Sequence, residues 1–248
     1  MTEHIKPIIV VGDSWGCGEW NSSFGKYGVT HNGITQYLTD AGHVVINLSQ
    51  PGGSNTQSAN LLERFLQANR HITPSRVMVF QTGWIRDIHE IDSTILNNDL
   101  ALGYVELKNN LMFRFWNRLS QTCNKDNIPV YIIGGCGDTP WVDNVESTYP
   151  SVHIACQSVT NLLLENNHRI TEPIYSPFTK WRASQVELIK RHLNTKDLEL
   201  FLQDIEKGNE RLDLWTKNTE FFWPDGGHAN RLGHQRLFEF LKVQIPDL

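Results

Sequence analysis

The chain has 248 residues, of which 40% are hydrophobic and 20% charged, and its formal net charge is -5. This composition is typical of a globular chain that buries a full core, and we expect one domain over residues 1–248. The Lys and Arg residues are scattered, which argues against nucleic acid as a partner, and no apolar run approaches the ~20 residues that span a bilayer.

The first ten residues, MTEHIKPIIV, do not have the pattern of a cleavable signal peptide, because acidic and basic residues precede a short apolar run. We therefore expect a cytoplasmic protein, or one delivered without a signal peptide, with no transmembrane segment. The four cysteines, Cys17, Cys123, Cys136 and Cys156, have no CxxC spacing and are interpreted as free thiols. A catalytic cysteine is the alternative, but the sequence offers it no activating partner.

Apolar runs rich in β-branched residues predict five strands, at residues 7–11, 43–48, 76–81, 128–134 and 152–156. Helical patterns lie between them, at residues 33–41, where Gly42 follows, and at 56–69 and 107–125. Alternating strands and helices predict an α/β fold: a three-layer α/β/α sandwich around a mostly parallel, flavodoxin-like sheet of about five strands.

Residues 157–217 have mainly helical periodicity, at 185–192 and 197–206, interrupted by Pro173 and Pro177. We interpret this segment as a helical insertion that forms a cap over the site or an oligomer contact. A last helix is predicted at residues 231–243, with Asn230 as its N-cap.

The first predicted strand ends in Gly12, Asp13 and Ser14, in the segment IIVVGDSWG. Gly12 allows a sharp turn, and a serine at the carboxyl end of a parallel strand faces the crevice where α/β proteins bind ligands. Asp13 and Ser14 are also common turn residues, and this motif alone does not distinguish a nucleophile from a turn.

A second motif, WPDGGHANRLGH, places Asp225 three residues before His228. A serine hydroxyl needs a base to take its proton, and a carboxylate fixes the tautomer of that base. One loop would thus supply both groups to Ser14. A Pro-Asp-Gly turn followed by an incidental histidine is the structural alternative.

Together these segments resemble the first and last blocks of the SGNH/GDSL hydrolase family, in which His-Pro-Asn-x-x-Gly-His is common where this chain has HANRLGH. The segment VVINLSQPGGSN is similar to the second block. The resemblance implies a serine esterase with Ser14, Asp225 and His228 as its triad, and with the N–H groups of Ser14 and Gly52, or alternatively Gly53, in the oxyanion hole.

The third block is a poor match, because the family's Gly-x-Asn-Asp corresponds here to QTGWIRD, which has no asparagine. Thr82 or Trp84 could replace the missing donor, and Arg86 could donate or hold an anionic part of a substrate. Loss of one oxyanion donor costs on the order of 10²- to 10³-fold in rate. A catalytically weak or inactive binding protein of the same fold is therefore the main alternative.

The segment from Gly12 to Gly16 also fits the G-x-S-x-G nucleophile elbow of α/β-hydrolases. That fold needs several strands before its nucleophile, whereas only thirteen residues precede Ser14. A nucleotide-binding flavodoxin-like protein is a further alternative, but no GxGxxG or GxxxxGK follows a predicted strand.

The expected reaction is hydrolysis of carboxylic esters without a metal or other cofactor, on a small-molecule or glycan ester. Four tryptophans lie near the motif loops, and their indole faces could stack on a sugar ring: Trp15, Trp20, Trp84 and Trp223. They favour an O-acetyl ester of a carbohydrate over a lipase-type substrate. The predicted substrate-binding residues are Asp13, Trp15, Trp84, Arg86 and Trp223, and the oligomeric state is left open.

Overall fold

In a computed structural model of the protein, the described residues are 6–21, 28–90, 103–135, 137–139, 145–165, 183–191, 193–223 and 227–248. They contain seven strands: β1 (Ile8–Gly12), β2 (Glu19–Asn21), β3 (Gly28–His31), β4 (Val45–Asn47), β5 (Arg76–Gln81), β6 (Val130–Gly134) and β7 (Val152–Cys156). Five of them form one parallel sheet in the order β4-β1-β5-β6-β7, and β2 pairs with β3 in an antiparallel hairpin.

The helices of the described ranges are α1 (Ser14–Cys17), α2 (Gly33–Asp40), α3 (Asn55–Ala68), α4 (Tyr104–Cys123), α5 (Val145–Thr148), α6 (Val159–Glu165), α7 (Ala183–Lys190), α8 (Thr195–Lys217) and α9 (Arg231–Gln244). A 3₁₀ helix covers Trp84–Glu90. Along the chain, the five sheet strands alternate with helices, as βαβ units require.

Helices cover both faces of the sheet, because neighbouring residues of a strand point to opposite sides. Ile8 and Val10 of β1 pack in one cluster with α2, α6 and α9. Ile9 and Val11 of the same strand pack in another cluster with α3 and α4. The α/β/α sandwich predicted from the sequence is confirmed, and its five central strands have the flavodoxin-like order 2-1-3-4-5.

Side chains at the helix starts fix where α3 and α9 begin. Ser54 caps α3 in a capping box, in which its hydroxyl accepts from Gln57 N–H and the Gln57 side chain accepts from Ser54 N–H. The Asn230 carboxamide accepts from Gly233 N–H at 2.9 Å, as predicted for the N-cap of the last helix. Helix α3 begins directly after the loop that follows β4, and α9 begins directly after the segment that carries His228.

A third apolar cluster joins the 3₁₀ helix, α4, α7 and α8 at one side of the molecule. Within it, the buried Lys108 ammonium lies 2.9 Å from the carboxylate of Asp204, which also accepts from the Tyr104 hydroxyl. Burial lowers the pKa of Lys108, and the hydrogen bond to Asp204 opposes that shift. This ion pair links α8 to α4. Removal of either partner would leave the other charge buried and unpaired, which is strongly destabilising.

The helical character predicted for residues 157–217 is found in α6, α7 and α8, although α8 extends to Lys217, well past the predicted end at 206. Pro173 and Pro177 lie outside the described residues. At the end of α8, Trp215 packs against Trp15 with ring centroids 5.7 Å apart. A role of this segment as a cap or oligomer contact stays a prediction. No helix in the described ranges is both long and apolar enough to cross a bilayer.

Candidate active site

Ser14 lies at the position where the strand order of the sheet reverses. After β1 the chain adds β4 on one side of it and then β5 on the other, so a crevice opens beyond the carboxyl end of β1. Ser14 is the second residue after β1 and the first of α1. The predicted serine is therefore at the place where α/β sheets collect ligands and reactive groups.

Gly12 makes the close approach of β1 to β5 possible. Its φ is +149°, and a Cβ atom there would lie 2.6 Å from the Cβ of Phe80 on the neighbouring strand. Any larger residue would push the two strands apart at the point where the chain turns toward Ser14. This is the physical reason for the glycine that the sequence motif contains.

Asp13 fixes the turn that carries Ser14. Its carboxylate accepts from Trp15 N–H at 3.0 Å and forms an ion pair with Arg86 at 2.8 Å. The Asp13 side chain is fully buried and that of Arg86 is 8% exposed. The structure thus corrects the prediction that Asp13 binds substrate, because its oxygens face the protein interior.

The loop after β4 lies against this turn. Gln50 N–H donates to Gly12 O at 3.0 Å, and Gly53 N–H donates to Gln50 O at the same distance. Gly53 O in turn accepts from Arg86 at 3.2 Å. For the N–H groups of Ser14 and Gly52, the described part of the chain provides no hydrogen-bond acceptor. Among the described residues, the N–H of Gly53 is therefore already used within the loop, whereas the N–H of Gly52 is available to a ligand.

His228 is held by a short antiparallel pairing of residues 221–223 with residues 228–230. Phe222 and Ala229 form the bridge, Trp223 N–H donates to His228 O at 2.9 Å, and Asn230 N–H donates to Phe221 O at 2.9 Å. Directly after it, the Asn230 cap starts α9. These contacts fix the backbone on both sides of the imidazole.

The folded chain places His228 Nε2 2.9 Å from Ser14 Oγ, although the two residues are 214 positions apart in the sequence. Ser14 can donate this hydrogen bond when the imidazole proton is on Nδ1, because Nε2 is then an acceptor. Asp225, predicted to accept from Nδ1, lies outside the described residues, and its place in the triad stays a prediction.

Trp20 supports both members of this pair and was not among the predicted site residues. Its indole N–H donates to Ser14 O at 2.8 Å, and its ring lies 5.7 Å from the His228 ring, centroid to centroid. The tryptophan belongs to the β2–β3 hairpin, which the sequence patterns did not predict. Its only sequence signal is its closeness to the Ser14 motif.

Asn55, which sequence reasoning missed, holds the loop after β5 in place. The Asn55 carboxamide accepts from Thr82 N–H at 2.9 Å and donates to Thr82 O at 3.1 Å and to Asp87 at 2.9 Å. Its amide protons are therefore used within the fold. The buried Thr82 hydroxyl, in contrast, has no hydrogen-bond partner among the described residues.

Trp15 and Trp84, predicted to bind substrate, are core residues. Trp15 is 1% exposed and packs against Trp215 and Phe222. Trp84 is 6% exposed, with its ring 5.8 Å from that of Tyr104 in an edge contact. The structure corrects the expectation that these indoles stack on a sugar, because both side chains are buried.

Of the other predicted substrate contacts, Arg86 is occupied by Asp13 and Gly53, so its charge neutralises a buried carboxylate. Trp223 is half-buried and lines an open groove beside His228. Among the predicted aromatic contacts, Trp223 is thus the more exposed one, while Trp84 lines a small cavity together with Thr82 and Gly83.

The cysteines of the described residues are free thiols: Cys17, Cys123 and Cys156. Cys136 lies outside those residues. Burial raises the pKa of Cys17 and of Cys123 to about 12, so neither is a thiolate at neutral pH. Where the chain is described, no three His, Cys, Asp or Glu side chains come together as a metal site.

His234, on the first turns of α9, is fully buried, and burial lowers its pKa to about 4, with smaller contributions from the nearby His31 and His228. In the unfolded chain a histidine titrates near 6.5. Between these two pKa values the proton binds mainly to the unfolded state. The free energy of unfolding is therefore undiminished above pH 6.5 and decreases as the pH falls toward 4.

We therefore expect the free energy of unfolding to decrease by about 3 kcal/mol more in the wild type than in His234→Gln between pH 7 and pH 4. Urea unfolding at a series of pH values measures this difference. His71→Gln, which replaces an exposed histidine, is the control and should keep the wild-type pH dependence. Equal losses in wild type and His234→Gln would contradict the expectation.

The site and the sheet order define an α/β protein with a serine–histidine pair at its switch point. Among solved structures, the chain is similar to the lipase/acylhydrolase from Enterococcus faecalis, with 14% identity, a TM-score of 0.39, and coverage of 95% of this chain and 93% of that one. It is also similar to a GDSL-like lipase from Bacteroides thetaiotaomicron (12% identity, TM-score 0.40, coverage 98% and 89%).

A third similar structure is AlinE4, a SGNH-hydrolase family esterase, with 10% identity, a TM-score of 0.37, and coverage of 77% of this chain and 98% of that one. No known family model matches the chain, and no curated protein matches it by sequence.

Proposed function

We propose that this protein hydrolyses carboxylic esters, with Ser14 as the nucleophile and His228 as its general base. The observation that carries the proposal is the 2.9 Å distance between Ser14 Oγ and His228 Nε2 at the carboxyl end of β1. Acyl transfer requires a nucleophile within hydrogen-bond reach of a base. Here the base, His228, is held in place by backbone hydrogen bonds on both sides.

In the first half of the proposed reaction, Ser14 Oγ attacks the ester carbonyl carbon while its proton passes to His228 Nε2. The tetrahedral intermediate collapses, the bond to the alcohol oxygen breaks, and the leaving alcohol takes the proton from His228. In the second half, water attacks the acyl-serine with His228 again as base. The carboxylic acid leaves, and Ser14 regains its proton.

The free N–H groups of Ser14 and Gly52 are the proposed oxyanion donors. As the third donor we favour the Thr82 hydroxyl over Trp84, because the hydroxyl lacks a partner whereas the indole is packed against Tyr104. Asp225 is the proposed partner of His228 Nδ1. It would fix the tautomer in which Nε2 accepts from Ser14.

The proposed substrate is a small acyl ester, an acetyl group on a carbohydrate. Ser14 is only 7% exposed, which leaves little room for a long acyl chain beside Oγ. The burial of Trp15 and Trp84 removes two of the indoles on which the carbohydrate prediction depended. Trp223 remains, and its surroundings support the proposal, as described below.

A phosphonate p-nitrophenyl ester tests the nucleophile directly, because it phosphonylates an activated serine and releases p-nitrophenol. We expect the wild type to bind one equivalent, located by mass spectrometry on the peptide that contains Ser14, and Ser14→Ala to bind none. Ser75→Ala, at the opposite end of β5, is the matched control and should react like the wild type.

Absence of labelling in the folded wild type, or equal labelling of Ser14→Ala, would overturn the proposal. In that case the binding or structural protein with the same fold becomes the better interpretation.

A further inference from the structure

A groove runs along the start of α9 on the side of the molecule that carries His228. Its lining includes Glu19, Phe222, Trp223, Asn230, Arg231 and Leu232. We call this surface the α9 groove. It is made of residues from the β2–β3 hairpin, the segment before His228 and the first turn of α9.

The α9 groove is linked to the proposed active site through His228. Trp223, which lines the groove, donates its backbone N–H to the backbone oxygen of His228. A molecule bound against Trp223 would therefore lie beside His228. Since Ser14 itself is nearly buried, the open groove is the place where the larger part of an ester can be bound.

Arg231 is an exposed but oriented cation in this groove. Its side chain is 60% exposed, and its Nε donates at 3.2 Å to the carboxylate of Glu19, which is 8% exposed. An arginine held through Nε keeps its two terminal amino groups for other acceptors. The described residues provide no hydrogen-bond partner for those two groups.

Two further features indicate what the groove binds. The Trp223 side chain is half-buried and lines the groove, with its indole nitrogen turned into the protein. Leu232, 46% exposed, and the aromatic side chains add an apolar wall. The groove thus combines aromatic surface with several separate donors and acceptors, which is how proteins bind molecules with apolar and hydroxylated faces.

The charges of the groove cancel. The carboxylate of Glu19 lies directly beside the guanidinium of Arg231, so an anion that approached Arg231 would also meet a negative charge. A neutral ligand with hydroxyl groups is not repelled by Glu19. Its hydroxyl oxygens can accept from Arg231, and its O–H groups can donate to Glu19. The pair therefore favours an uncharged polyhydroxylated molecule.

We propose that the α9 groove is the subsite for the alcohol part of the ester, and that it binds a neutral sugar. This inference rests on the proposed esterase function, because the groove gains its role from its position beside Ser14 and His228. Arg231 and the Trp223 ring are its specificity-determining groups. The sugar lies against the indole, with its acetyl ester directed to Ser14.

Binding of unesterified sugars tests the groove independently of catalysis. The wild type is titrated with the methyl glycosides of glucose, galactose, mannose, xylose and N-acetylglucosamine. Binding is followed to saturation by the chemical shift changes of protein NMR signals. Methyl glucuronide is the charged counterpart of methyl glucoside. We expect at least one neutral glycoside to saturate, and methyl glucuronide to bind more weakly than methyl glucoside.

Variants locate the site. Arg231→Gln and Trp223→Ala should each raise the dissociation constant of the bound glycoside by about fivefold, since the first removes hydrogen-bond donors and the second removes the aromatic surface. Arg236→Gln, an exposed arginine on the same helix but outside the groove lining, is the matched control and should bind like the wild type.

Three results would overturn the inference: no glycoside saturates, methyl glucuronide binds best, or Arg231→Gln has no larger effect than Arg236→Gln. Phosphonate labelling of Ser14 separates this failure from failure of the proposed function. If Ser14 is labelled but no sugar binds, the esterase proposal stands and the alcohol part of the substrate is not a neutral sugar. If Ser14 is not labelled, both proposals fail.

Discussion

Replacing His228 by alanine should lower kcat for p-nitrophenyl acetate on the order of 10⁴- to 10⁶-fold. The reason is that Nε2 lies 2.9 Å from Ser14 Oγ, and without it the hydroxyl has no base to take its proton. Because the base acts in the transition state, kcat and kcat/KM should fall together and KM should change little.

The steady-state rates of His228→Ala are compared with those of His71→Ala, in which an exposed histidine is removed. The control should keep wild-type kcat, and both variants should unfold at similar urea concentrations. If His228→Ala kept more than about a tenth of the wild-type kcat, His228 would not be the general base that acyl transfer needs.

Arg86→Met should have the largest effect on stability, a loss of about 3–5 kcal/mol in the free energy of unfolding. The substitution keeps an unbranched side chain of comparable length but leaves the Asp13 carboxylate, which is fully buried, without its 2.8 Å partner. A buried charge that loses its counterion must be neutralised or the structure around it must open.

Urea unfolding measures this loss, and the double variant Asp13→Asn with Arg86→Met is the matched comparison. It removes the charge together with its partner, so we expect it to be more stable than Arg86→Met alone. If the double variant is the sum of the two single variants or worse, the ion pair is not what holds the turn.

The sequence was sufficient for the layers of the fold, because the strand runs at 76–81 and 152–156 are apolar with β-branched residues and match β5 and β7 residue for residue. It was not sufficient for the β2–β3 hairpin. Glu19–Asn21 and Gly28–His31 are too short to show a period, and their pairing depends on tertiary contacts with Ser14 and α9.

The placement of Ser14 and His228 could be anticipated from two short motifs, whereas the residues that support them could not. Asp13 and Arg86 are 73 positions apart, and nothing in either segment indicates that their charges meet. Tryptophans near a motif loop have no periodicity that tells a core face from a site face. For this reason the sequence assigned Trp15 to substrate and named Trp20 for sugar stacking instead of for support of Ser14 and His228.

The distance in sequence between Ser14 and His228 has a consequence for how activity is acquired. One hydrogen bond is too weak to close a loop of this length, so the pair is assembled by the docking of α9 on α2, through Leu237, Phe238 and Leu241. In the proposed esterase, turnover would begin only once α9 has packed on α2. The rate at which ester cleavage appears during refolding would therefore report this packing step, whereas circular dichroism would report helix formation throughout the chain.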